Sequence, residues 1–86
     1  MLDIHITEGE LITAIKKDDY ISYNKLFTRY YSRLCQYVYG ILENKEDSED
    51  VVQDLFLSLW HNRKKMEVTE SVSGYLFKMA KNKALN

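Results

Sequence analysis

Asp50, Gln53, Asp54 and Leu57 recur at i, i+3, i+4 and i+7 within the run from Asp47 to Trp60. That spacing puts them on one face of a helix. A solvated face has little use for a leucine among acids. A face that docks on a basic, partly apolar protein surface does. A second set of residues is basic. Lys78, Lys81 and Asn82 share a helical face, and Arg63, Lys64 and Lys65 lie in the segment just before it. Lysine and arginine neutralise phosphates and asparagine can pair with base edges, so this set suits a nucleic acid. Helix 78–82 alone could be an ordinary solvated lysine face, but the three bases upstream strengthen the nucleic-acid reading.

Other chemistry finds little support. His5, His61 and Cys35 stand apart, with no His-x-x-x-His or Cys-x-x-Cys spacing to hold a metal. Cys35 falls at the margin of an apolar stripe, where a structural thiol is the expected role. The carboxylates of residues 46–54 open a helix, where acids serve as caps and dipole partners. No glycine-rich phosphate loop is present. The expectation is a binding domain without a cofactor, and not an enzyme.

Composition supports a soluble single domain of 86 residues, 45% hydrophobic and 29% charged. The net charge of −1 is unevenly spread. Residues 1–42 are balanced, residues 43–60 carry −5 and residues 61–86 carry +4. Adjacent surfaces of opposite sign suggest two partners, one basic and one anionic. One cysteine, no signal peptide and no membrane-length apolar run point to the cytoplasm.

These residues must be positioned by helices, because the chain has no proline, three glycines and no hairpin signal. An all-α, compact bundle of about four helices is predicted. The first begins at Thr7, where Thr7-Glu-Gly-Glu10 reads as a capping box, and ends before Asp18-Asp19. The second runs from about Tyr20 to Leu42, with Tyr23, Leu26, Phe27, Tyr30, Leu34, Tyr37, Val38 and Ile41 as its apolar stripe. Six of the seven tyrosines lie between residues 20 and 39. Tyrosines can stack bases, but most of these fall on the stripe, so core packing is expected, with Tyr39 the exception. The third helix is capped by Asp47 or Ser48 and buries Val51, Val52, Leu55, Phe56, Leu59 and Trp60. Residues 61–70 read as a basic loop, and the fourth helix starts near Ser71 or Ser73.

Ser48-Glu-Asp-Val-Val-Gln-Asp-Leu-Phe-Leu-Ser-Leu-Trp60 closely resembles the hallmark helix of region 2 in bacterial sigma factors, nearest the extracytoplasmic-function group. Gly74-Tyr-Leu-Phe-Lys-Met-Ala-Lys-Asn-Lys-Ala-Leu-Asn86 resembles the group's next helix, at the expected distance. The resemblance implies a transcription initiation domain that binds core RNA polymerase on the β′ clamp helices and recognises and melts the promoter −10 element. Asp50, Gln53 and Asp54 match polymerase-contacting positions of the family; Leu57 joins them by helical spacing. Asn82 matches the asparagine of the DNA-facing helix, Lys78 stands where arginine is common, and residues 61–70 correspond to the loop that receives a flipped-out base. An anti-sigma factor is a further expected partner. Complete relatives carry a second domain with a helix-turn-helix, so residues 1–86 are expected to be the N-terminal part of a longer chain. The rival expectation is a sigma-like protein-interaction module without DNA contact. An independent repressor of double-stranded DNA is weaker still, for want of a helix-turn-helix.

Overall fold

The computed structural model of the chain describes residues 6–86, so His5 lies outside the described residues. Four helices follow one another: α1 (Glu8–Lys16), α2 (Tyr20–Leu42), α3 (Lys45–His61) and α4 (Val72–Leu85), with a short 3-10 turn at Arg63–Lys65. Among the described residues there is no strand, and no helix is long and apolar enough to cross a membrane.

Each helix starts where a side chain can satisfy its first free N–H groups. Thr7 accepts from the N–H of Glu10 at 3.1 Å, and the Glu10 carboxylate accepts from the N–H of Thr7 at 2.9 Å, the predicted reciprocal box. Asp19 caps α2 by accepting from the N–H groups of Ile21 and Ser22. Ser71 caps α4 through the N–H of Gly74 at 2.9 Å. The third helix differs from expectation. Its cap is Asn44, which accepts from the N–H of Asp47 at 2.8 Å, so α3 begins about one turn before Asp47 and Ser48. Ser48 is buried, its hydroxyl donating to the Asn44 carbonyl at 2.6 Å. The chain reverses between α2 and α3 at Glu43, whose φ of 54° is left-handed. Glycine usually takes this position; here a glutamate takes it and Gly40 stays helical.

The long α2 is the spine, packing against α1, α3 and α4. Leu26, Tyr30, Leu34 and Val38 run down its buried side. Leu11, Ile12 and Ile15 of α1, Val52, Leu55, Phe56 and Leu59 of α3, and Leu76 and Ala80 of α4 close around them. Tyr23 is buried and donates from its hydroxyl to the Phe56 carbonyl at 2.7 Å. The stripe of α2 is narrower than its sequence suggests. Phe27 and Ile41 are half-buried, and Tyr37 reaches the surface. Val51 and Trp60 likewise sit at the rim of the core.

Candidate binding surfaces

The acidic helix presents the face its spacing predicts. Asp50, Gln53, Asp54 and Leu57 are all exposed on α3, Leu57 to 68% of its surface. A leucine this bare, beside acids and an amide on a helix, stands apart from an ordinary solvated face. Two of the four also touch neighbouring helices. Gln53 reaches the Tyr31 hydroxyl at 3.5 Å, and Asp54 accepts from the Lys83 ammonium at 2.8 Å. Lys83 reaches across from α4, so the acidic face and the basic helix meet at this ion pair. Sequence reasoning missed Lys83, since its partner lies 29 residues away.

The basic residues divide into two groups. Lys78, Lys81 and Asn82 are exposed on α4, on one face as predicted. The segment before α4 is less open than a loop would be. Arg63 is pinned from two sides. It donates to Asp18 at 2.8 Å and to the Trp60 carbonyl at 2.7 Å, while its guanidinium lies 4.1 Å from the centre of the Trp60 ring. Lys64 pairs with Asp18 at 3.0 Å and donates to the Lys16 carbonyl at 2.7 Å. These contacts fasten the 3-10 turn to the end of α1. Asp18 adopts a left-handed φ of 72° at the turn after α1, which aims its carboxylate at both cations. The Arg63 guanidinium, and then the Lys64 ammonium, hold the Asp18 carboxyl below the ordinary aspartate range. Lys65 is exposed and takes no part in the ion pairs among the described residues. The five basic residues and Asn82 therefore do not form one free surface. Lys65, Lys78, Lys81 and Asn82 face outward, and Arg63 and Lys64 are engaged in holding the turn.

Past that turn the chain runs extended, with Met66 buried beneath it and the Lys16 ammonium donating to the Met66 carbonyl at 2.7 Å. Between this stretch and α1 lies a groove of about 520 Å³, whose polar lining includes Glu8, Thr13, Glu67 and Glu70 and one cation, Lys16, which is held by the Met66 carbonyl. Carboxylates there can accept hydrogen bonds from an exocyclic amine but would repel a phosphate. Elsewhere, burial pushes the half-buried Cys35 thiol up, which keeps it protonated at neutral pH and a poor nucleophile. No cluster of three or more histidine, cysteine or acidic side chains among the described residues is placed to hold a metal.

Fold and surfaces together define a four-helix bundle in which an exposed acidic face of α3 adjoins a basic face of α4. Residues 26–86 match the family description of Sigma-70 region 2, and the chain belongs to that family. The structure is similar to an engineered region 2 of sigmaE, solved by NMR in a complex with GTAAAA. The two share 25% identity at a TM-score of 0.85, over 99% of this chain and 88% of that one. No curated protein sequence matches the chain.

Proposed function

We propose that this domain serves transcription initiation by binding core RNA polymerase, at the β′ clamp helices, and by recognising and melting a promoter −10 element. The observation that carries the reading is the outer face of α3 in a chain of this family. There Leu57 stands two-thirds exposed among Asp50, Gln53 and Asp54. Burying that leucine against an apolar patch would contribute about 1–2 kcal/mol, and the acids would select a basic rim. On the other side, Lys65, Lys78 and Lys81 supply cations for the backbone and Asn82 a base-reading amide. Flipping a base costs a few kcal/mol of unstacking. The groove between α1 and residues 66–72 offers a place for such a base, its carboxylates facing amino groups rather than phosphates. An anti-sigma factor that covered the α3 face would block the polymerase, and this partner is part of the proposal.

The test is affinity for core polymerase. Asp54→Lys should weaken binding by tenfold or more, on the order of 1.4 kcal/mol or above. Unchanged affinity would show that the docking face lies elsewhere. A second reading, a sigma-like adaptor without DNA contact, draws support from Arg63 and Lys64, which are committed to Asp18. A single-stranded −10 oligonucleotide separates the two readings. Salt-dependent binding in the presence of polymerase favours the first, and its absence favours the second.

A further inference from the structure

The helices α2 and α3 pack side by side and carry opposite charge. The first holds three basic residues and no acid, and the second holds five acids against one lysine. They run antiparallel. Tyr20 meets Trp60 with ring centroids 5.3 Å apart, Phe27 meets Phe56 at 4.8 Å, and the Gln53 amide donates to the Tyr31 hydroxyl.

Outside the core, α2 has a face that its own packing does not explain. Ile21 is exposed to 68%, as bare as Leu57. Ile21, Asn24, Lys25 and Thr28 are all exposed, and their spacing of i, i+3, i+4 and i+7 repeats that of Asp50, Gln53, Asp54 and Leu57. Each set holds one bare aliphatic residue and one amide. The charge is cationic on α2 and anionic on α3. Ile21 opens its set and Leu57 closes the other, so two such helices laid antiparallel match aliphatic with aliphatic and cation with anion. Helical period sets Asn24 beside the α3-facing rings of α2, and Gln53 and Leu57 beside the α2-facing rings of α3. The two faces therefore border one seam. Each also has a shallow hollow, one of about 510 Å³ among Ile21, Asn24, Lys25 and Thr28, the other of about 530 Å³ beside Leu57, Trp60 and His61. Lys25 takes no part in the ion pairs among the described residues, and the Asp54 side chain stays 64% exposed beside Lys83.

We propose that the outer surface of α2 and α3 is a self-complementary interface for a second copy of this chain. A two-fold axis along the α2–α3 seam lays α2 of each copy over α3 of the other, antiparallel, and forms both contacts at once. Such an axis keeps every residue at its own level along the helices. Ile21 of one copy then meets the hollow beside Trp60, Leu57 meets the hollow beside Asn24, and Lys25 comes within a turn of Asp54. The occupant is a second copy because the chain itself carries the matching face, in the matching spacing and the opposite charge. The dimer covers the acidic face of α3, so it excludes any other occupant of that face. The consequence for polymerase rests on the docking reading above; the dimer does not.

Sedimentation of the full chain over a range of concentrations tests the dimer. The parent should pass from monomer to dimer and go no further. Lys25→Asp should raise the dissociation constant by about tenfold or more, because each substitution acts twice across a two-fold, and Asp54→Lys should do the same. Ile21→Ser should weaken the dimer while leaving the circular dichroism of the monomer unchanged. An equimolar mixture of the Lys25→Asp and Asp54→Lys chains should dimerise again, as should the double variant, since every contact then pairs unlike charges. A parent that stays monomeric up to about 1 mM, single variants that match the parent, or a mixture that fails to recover overturns the proposal. Growth beyond the dimer overturns the two-fold and means an open head-to-tail series. Core polymerase added to the parent dimer should convert it to a one-to-one complex. If polymerase binds the intact dimer instead, self-association stands and the α3 docking reading falls. If Asp54→Lys loses polymerase while the parent never dimerises, the docking reading stands and the dimer falls.

Discussion

Single residues carry tertiary bonds that decide how firmly the binding surfaces are held. The Tyr23 side chain is buried, and its hydroxyl donates to the Phe56 carbonyl at 2.7 Å, towards the C-terminal half of α3. Burial pushes this phenol up from its ordinary range, so it stays a donor at any physiological pH. Tyr23→Phe removes the bond while keeping the ring contacts with Phe56 and Trp60. It should cost about 1 kcal/mol in urea unfolding, and an unchanged midpoint would show the bond to be energetically silent. Asp18 acts through charge. Its carboxyl is held below the ordinary range by Arg63 first, so its contribution is complete at neutral pH. That contribution persists above the unfolded-state value and is lost as pH falls through the depressed folded-state value. NMR titration should therefore place the Asp18 midpoint below that of an aspartate in an unfolded peptide. Asp18→Asn should remove this part of the acid-limb destabilisation. An ordinary midpoint would mean that Arg63 and Lys64 do not anchor the turn in solution.

Elements were legible wherever one segment of sequence held the whole signal. Thr7 with Glu10, the span of α2 from Tyr20 to Leu42, and Ser71 before α4 are all local, and the structure agrees with each. The start of α3 was not legible in the same way. Asp47 and Ser48 are good caps, but Asn44 is equally good, and the left-handed Glu43 that lets α3 begin earlier carries no sequence signature. The candidate site shows the same split. The exposure of Asp50, Gln53, Asp54 and Leu57 follows from helical period, whereas the engagement of Arg63 with Asp18 spans 45 residues of chain. The Lys83–Asp54 pair between α4 and α3 belongs with these long-range contacts, and it bears on docking. A basic partner must share Asp54 with Lys83 or displace it. Lys83→Met removes the internal competitor and keeps the aliphatic stem. Polymerase affinity should tighten roughly two- to fivefold, the range of an exposed ion pair. In the Asp54→Asn background the same change should do nothing, and any effect there would show that Lys83 acts by another route.

At the scale of the whole molecule, α2 makes the proposed binding surfaces depend on one spine. It is the helix that α1, α3 and α4 all pack against. It holds α3 through Tyr23 and Leu26, and α4 through Tyr30 and Tyr37 against Phe77. A domain of this size has a total stability of about 4–13 kcal/mol. Leu34 sits fully buried midway along the spine, and a leucine-to-alanine cavity in such a place costs about 2–5 kcal/mol. Leu34→Ala touches neither proposed binding face. Circular dichroism should nonetheless show a thermal midpoint lower by on the order of 10 °C or more. Near that lowered midpoint, polymerase and oligonucleotide binding should fail together. Surface variants should behave differently, with Asp54→Lys affecting only the polymerase and Lys78→Gln only the nucleic acid. If Leu34→Ala left the midpoint in place, or abolished one activity while sparing the other, the two faces would not share α2 as their common support.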